Sequence, residues 1–83
     1  MRVRYFAWVR ERIGRAEEDV IPPAEVVTAG DLVRWLKGRD EQSDYAFEQP
    51  EFIRIAIDQM HVEPDALIAG AREIALFPPM TGG

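Results

Sequence analysis

The residues best suited to chemistry lie in the last seven positions of the sequence, 77–83. Proline has no backbone N–H, so Pro78 and Pro79 are expected to end a strand at Phe77. Glycine lacks a Cβ atom, and a chain end this slim can thread into a narrow channel on a partner protein. The group it delivers is the α-carboxylate of Gly83. We therefore predict Gly83 as the reactive residue, presented by a flexible tail over residues 78–83 that includes Met80, Thr81 and Gly82.

The other residue types argue against several kinds of site. The sequence has no cysteine and one histidine, His61, which makes disulfides, thiol nucleophiles and a zinc site poor hypotheses. Its glycines do not form a phosphate loop, and its carboxylates are scattered. We expect no metal, no bound cofactor and no catalysis by the chain alone.

Charge and hydropathy set the expected surroundings. The net charge of −5 argues against nucleic acid as a partner and suits a partner with a basic face. No apolar run approaches the ~20 residues of a membrane span, and the first residues lack the apolar core of a signal peptide. We expect one domain over residues 1–83, in the cytoplasm, away from membranes.

Apolar periodicity predicts the elements that position the tail. Alternation of polar and apolar residues predicts strands over residues 2–9, 16–21, 52–58, 60–63 and 73–77, with a two-residue hairpin turn at Asp58-Gln59. Thr28 and Asp31 resemble a capping box that starts the one clear helix, and Gly38 is a candidate for its C-terminal cap. Residues 39–51 are predicted to form a long loop, anchored by Tyr45 and Phe47. One helix across a mixed sheet is an α+β fold.

Strand parity also predicts a partner surface. Four residues are expected to point away from the helix, where small side chains beside two aromatics form a flat apolar patch: Phe6, Ala56, Ala75 and Phe77. The alternative is that the long loop covers this patch.

Taken together, these segments resemble one known family. The run from Ile74 to Gly83, the opening Val3-Arg4-Tyr5-Phe6-Ala7 and the segment Ile55–Gln59 are similar to the small subunit of molybdopterin synthase, a ubiquitin-like sulfur carrier. The resemblance covers nearly the whole chain and implies a ubiquitin-like β-grasp fold. It also places His61 in the partner surface, at a position that is commonly apolar in the family.

The resemblance further implies a function. An adenylating, E1-like enzyme uses ATP to activate Gly83, which then becomes a thiocarboxylate. The tail enters the large synthase subunit and donates sulfur to cyclic pyranopterin monophosphate during molybdenum cofactor biosynthesis. The synthase of this family is a heterotetramer.

Three alternatives remain open from the sequence. The same carrier can serve thiamine, tRNA thiolation or cysteine synthesis. It can instead be a ubiquitin-like protein modifier that forms isopeptide bonds through Gly83, or a binding module whose terminal glycines have no role.

Overall fold

The computed structural model describes residues 1–79 and confirms the α+β class. Within this range one mixed sheet is formed by β1 (Arg2–Tyr5), β2 (Glu17–Asp19), β3 (Arg54–Ile57), β4 (Met60–Val62) and β5 (Glu73–Phe77). The strand order is β2-β1-β5-β3-β4, with β1 parallel to β5 and the other neighbours antiparallel. The helices are α1 (Ala7–Ile13), α2 (Ala29–Lys37) and α3 (Glu41–Ala46), and a 3₁₀ turn spans Pro50–Phe52.

Helix α2 begins at the predicted capping box. Thr28 Oγ1 accepts a hydrogen bond from the Asp31 backbone N–H at 3.1 Å, and the Asp31 carboxylate accepts one from the Thr28 N–H at 3.1 Å. Backbone hydrogen bonds from Thr28 and Val27 lower the pKa of Asp31, so this carboxylate is charged near the positive end of the helix. The predicted cap at Gly38 is also confirmed, because its N–H donates to Arg34 O at 3.2 Å.

Replacing Thr28 by alanine is expected to lower the free energy of unfolding by about 1 kcal/mol, because the Asp31 N–H loses its acceptor. Urea denaturation followed by circular dichroism measures the change. Thr28→Ser keeps the hydroxyl and should retain most of the stability. Equal losses in both variants would mean that the threonine methyl, not the cap, stabilises this helix.

The core lies between one face of the sheet and the helices. Val3 of β1 and Ile74 and Leu76 of β5 are fully buried, as is Leu32 of α2. Ile53 and Ile55 are buried, and Ile57 packs against the core while partly exposed. Among residues 1–79 the helices therefore cover one face of the sheet, and the opposite face carries no helix.

The first predicted strand is wrong beyond Tyr5. Ala7 has φ 53°, a left-handed value that alanine rarely adopts, and this turn redirects the chain into α1. Val9 and Ile13, four residues apart, then reach the core from a helix instead of a strand. The helix ends at Gly14, whose φ of 88° suits glycine.

The predicted loop over residues 39–51 is also wrong, since it contains α3 and the 3₁₀ turn. Asp40 caps α3 by accepting a hydrogen bond from the Ser43 N–H at 2.7 Å. Phe47 is fully buried, as expected of an anchor, but Tyr45 is 52% exposed and lies over Arg12. The described residues therefore contain more than one helix, with α3 packed against α1 and α2, and α2 is the longest helix in residues 1–79.

A polar cluster ties β1 and β2 to Arg39 in the segment that follows α2. The buried Tyr5 donates its hydroxyl to Glu18 Oε2 at 2.6 Å, and Arg39 donates to the same oxygen at 2.7 Å. Burial, together with this hydrogen bond, raises the pKa of Tyr5. Desolvation opposes ionisation of Glu18, but hydrogen bonds from Arg39 and Tyr5 outweigh it and lower the pKa of Glu18.

Glu18→Gln is expected to lower the free energy of unfolding by about 1–2 kcal/mol at neutral pH, because Arg39 loses its charged partner. Since the folded pKa of Glu18 is depressed, its contribution is present above the unfolded pKa of about 4.3 and disappears as the pH falls through the folded value. The difference from the wild type should therefore shrink in acid. Urea unfolding across this pH range measures it, with the exposed Glu25→Gln as control. A difference that did not change with pH would contradict the assignment.

Candidate functional site

Strand β5 leads directly into the predicted tail. It is the central strand, and its last residues are held on both sides, Leu76 opposite Tyr5 of β1 and Phe77 opposite Arg54 of β3. The Phe6 N–H adds a hydrogen bond to Leu76 O at 3.2 Å. The strand ends at Phe77, before Pro78, as predicted. The tail beyond residue 79, with Met80, Thr81, Gly82 and Gly83, lies outside the described residues.

The open face of the sheet carries the residues predicted for the partner surface. Arg4, Ala75, Ala56 and His61 form one cross-strand row, because each is the register partner of the next. Register partners point to the same side of a sheet, opposite to the inward Ile55 and Leu76. The structure therefore brings Ala56, Ala75 and His61 together on the face that carries no helix.

Phe77 provides the main aromatic surface next to this row. Its ring packs edge-on against His61, with ring centroids 5.3 Å apart and planes at 78°. Phe6 is 39% exposed and lies under the guanidinium of Arg4, whose Cζ is 5.3 Å from the ring centroid. We call Phe6, Ala56, Ala75, Phe77 and His61 the outer patch.

The members of the outer patch are not equally accessible. Ala56 is only 7% exposed, which differs from the expected open position. Its register partners, Ala75 and His61, flank it, so its methyl group forms the floor of the patch. Phe6 and His61 are exposed, and Phe77 is partly exposed. The rings of Phe6, His61 and Phe77 therefore offer a partner more accessible surface than Ala56 does.

Of the arginines near the outer patch, Arg2 and Arg4 have acidic partners within residues 1–79 and Arg54 has none. Arg2 and Arg4 pair with acidic residues of β2 and β5, including Glu17, whose carboxylate lies 2.7 Å from Arg2. Arg54, next to Phe77 in register, is exposed and has no carboxylate within 4.0 Å among residues 1–79. An acidic group of a partner can pair with Arg54 close to the point where the tail begins.

Sequence reasoning identified the apolar part of this surface and missed Arg54. Its outward position follows from the alternation of β3, so that signal was present. That it is unpaired depends on which strands lie beside β3, and a single sequence does not reveal this.

The carboxylate of Asp58 holds the start of β5 in place. Asp58 and Gln59 form the predicted two-residue turn, with φ values of 47° and 73°. Asp58 Oδ1 accepts hydrogen bonds from the N–H groups of Arg72 and Glu73 at 3.1 and 3.0 Å. The turn between β3 and β4 therefore also holds the first residue of β5, and this contact helps to fix the position of that strand.

The described part of the chain has neither a cluster of metal ligands nor a membrane-spanning helix. Residues 1–79 contain no group of three or more His, Cys, Asp or Glu side chains placed to hold a metal ion. In the same range no helix has the length and apolar character needed to span a membrane.

The fold is that of a small ubiquitin-like protein of the β-grasp type, with β5 as the central strand of its sheet. The model of the ThiS family matches residues 3–83, so the chain belongs to this family of ubiquitin-like sulfur carriers. The match includes the terminal Gly82 and Gly83. No curated protein sequence matches the chain.

Solved structures give the same fold. SAMP1 from Haloferax volcanii superposes with a TM-score of 0.73 at 25% identity, covering 100% of this chain and 98% of its own. A second structure, of the H. volcanii small archaeal modifier protein 1, has a TM-score of 0.73 at 24% identity and covers 96% and 97%. A Pyrococcus furiosus protein named as molybdopterin converting factor, subunit 1, has a TM-score of 0.69 at 23% identity and covers 95% of each chain.

Proposed function

We propose that this chain is the sulfur-donating small subunit of a molybdopterin synthase, with Gly83 as the residue that carries sulfur. The observation that supports this most is the anchorage of β5 on both sides, directly before Pro78-Pro79 and the terminal glycines. The tail must extend from a firmly held strand if its last atom is to reach a defined depth in two successive partners.

Loading of Gly83 begins with a carboxylate, which is a poor electrophile at neutral pH. An adenylating enzyme joins it to AMP from ATP and releases pyrophosphate. Hydrosulfide released by a sulfur donor then attacks the acyl carbon, the bond to AMP breaks, and Gly83 becomes a thiocarboxylate with loss of a proton. The chain needs no cofactor of its own for this, since ATP binds to the activating enzyme, and its lack of cysteine leaves the terminus as the place where sulfur is held.

Donation takes place in the large subunit of the synthase. The outer patch docks on that subunit and the tail reaches its active site. There the thiocarboxylate sulfur bonds to a carbon of cyclic pyranopterin monophosphate as a carbon–oxygen bond of that substrate breaks. Water then cleaves the resulting thioester, which leaves the sulfur on the product and returns Gly83 as a carboxylate. The large subunit supplies the acids and bases for this reaction. Two small subunits on a central dimer of large subunits complete the heterotetramer.

Intact mass measures the proposed loading directly. The chain is incubated with ATP, a sulfur donor and the adenylating enzyme from the same organism. We expect a mass gain equal to the exchange of one oxygen atom for sulfur, and proteolysis should place that gain on the peptide that ends at Gly83. Omission of ATP is the control. An unchanged mass in the complete mixture, with an enzyme that adenylates a known carrier, would contradict the proposal.

A second candidate is a protein modifier that forms isopeptide bonds through Gly83. It is supported by the likeness to the H. volcanii protein named as a small archaeal modifier. A carrier for another sulfur pathway is the third. Addition of the loaded chain to the large synthase subunit with cyclic pyranopterin monophosphate separates these, because only the first function yields the dithiolene product. Lysine-linked conjugates in cell extract would support the modifier.

A further inference from the structure

Lysine is almost absent from this chain. Nine of the ten basic residues counted as Lys or Arg are arginines, and Lys37 is the single lysine in the sequence. Arginine stays protonated in proteins, whereas a deprotonated lysine amine is a nucleophile. If Gly83 is activated as proposed above, other copies of the chain offer it one side-chain amine.

Lys37 lies on the side of the molecule away from the outer patch. It is the last residue of α2, the helix that packs on the covered face of the sheet. Its side chain is 33% exposed, and its Nζ donates a hydrogen bond to Asp44 Oδ1 of α3 at 2.6 Å. A group attached to this amine would therefore leave the outer patch accessible.

We propose that Lys37 is an acylation site for the glycyl group of a second copy of this chain, and that Asp44 restrains it. This inference rests on the proposed activation of Gly83. The neutral amine attacks the activated carbonyl carbon of Gly83 and an amide bond forms. The bond to the leaving group breaks, and the amine proton passes to solvent. Nζ must first break its hydrogen bond to Asp44 Oδ1 before it can reach the carbonyl carbon, so this contact slows the reaction.

The basic residues around the outer patch support the proposal that Lys37 is the acceptor. Its basic neighbours are Arg2, Arg4 and Arg54, none of which is an acyl acceptor. No lysine therefore lies on this face to act as an acceptor. The single lysine is at the opposite side and ion-paired, which is the arrangement expected if linkage between copies is kept slow without being eliminated.

A chemically prepared thioester tests the site without any enzyme. The chain is made with a thioester at Gly83 and mixed with unmodified chain in mildly alkaline buffer. Intact mass measures the linked dimer, and peptide mapping locates the bond. We expect a Lys37–Gly83 amide in the wild type and its loss in Lys37→Arg. Asp44→Asn should form it about two to five times faster, as for release of an exposed ion pair.

Glu41→Gln is the matched control, because it removes the same charge from α3 and Glu41 has no ion pair among residues 1–79. Its rate should equal that of the wild type, and thermal unfolding checks that each variant is folded. A wild-type dimer whose bond maps to the Met1 nitrogen and not to Lys37, or equal rates in Asp44→Asn and the wild type, would overturn the proposal. Because the thioester is installed chemically, failure here is distinct from failure of sulfur loading by the adenylating enzyme.

Discussion

A chain shortened by one residue, so that it ends at Gly82, is expected to lose sulfur loading while it still folds. The shortened tail places its carboxylate about 3.5 Å further from the acyl-transfer site, since each extended residue spans that length. Displacement by 1 Å can already cost about 100-fold in rate, so we expect no detectable thiocarboxylate. The fold should persist because the buried core lies within residues 3–76.

Two further variants separate length from composition. Addition of one alanine after Gly83 moves the carboxylate in the opposite direction and should also abolish loading. Thr81→Ala keeps the length of the tail and should load at close to the wild-type rate. Intact mass after incubation with the adenylating enzyme measures all three. A shortened or extended chain that still supported dithiolene formation at the normal rate would refute the role of Gly83.

The second large effect is expected from Phe77→Asp, which places a charge in the centre of the outer patch. Phe77 packs against His61 and follows the buried Leu76, so an aspartate here would be desolvated when a partner covers the patch. We expect binding to the large subunit to weaken by about 2–4 kcal/mol, which corresponds to roughly 30- to 1000-fold in Kd. Isothermal titration calorimetry measures the change.

The control for this variant is Ile21→Asp. Ile21 is an apolar residue with 92% of its surface exposed and lies outside the outer patch, so the same change of charge there should leave affinity within about 0.5 kcal/mol of the wild type. Unfolding curves for both variants establish that the native state is populated. Equal affinities for Phe77→Asp and the wild type would remove the outer patch as the docking surface.

Much of the fold could be predicted because some signals are local. The cap at Thr28, the hairpin turn at Asp58-Gln59 and the strand end at Phe77-Pro78 each depend on neighbouring residues alone, and all three were predicted correctly. The strand over residues 2–9 failed because alternation continues through Ala7 and Val9. The left-handed turn at Ala7 breaks it and is held by tertiary packing of α1.

For the candidate site, the sequence by itself determined which residues point outward and which end could react. Parity selects Phe6, Ala56, Ala75 and Phe77, and the terminal glycines follow two prolines. Only the tertiary structure decided that His61 packs on Phe77, that Arg54 is unpaired among residues 1–79 and that Lys37 pairs with Asp44. The physical reason is that side-chain periodicity is a property of one segment, whereas each of these contacts joins separate segments whose order in the sheet and bundle the periodicity does not encode.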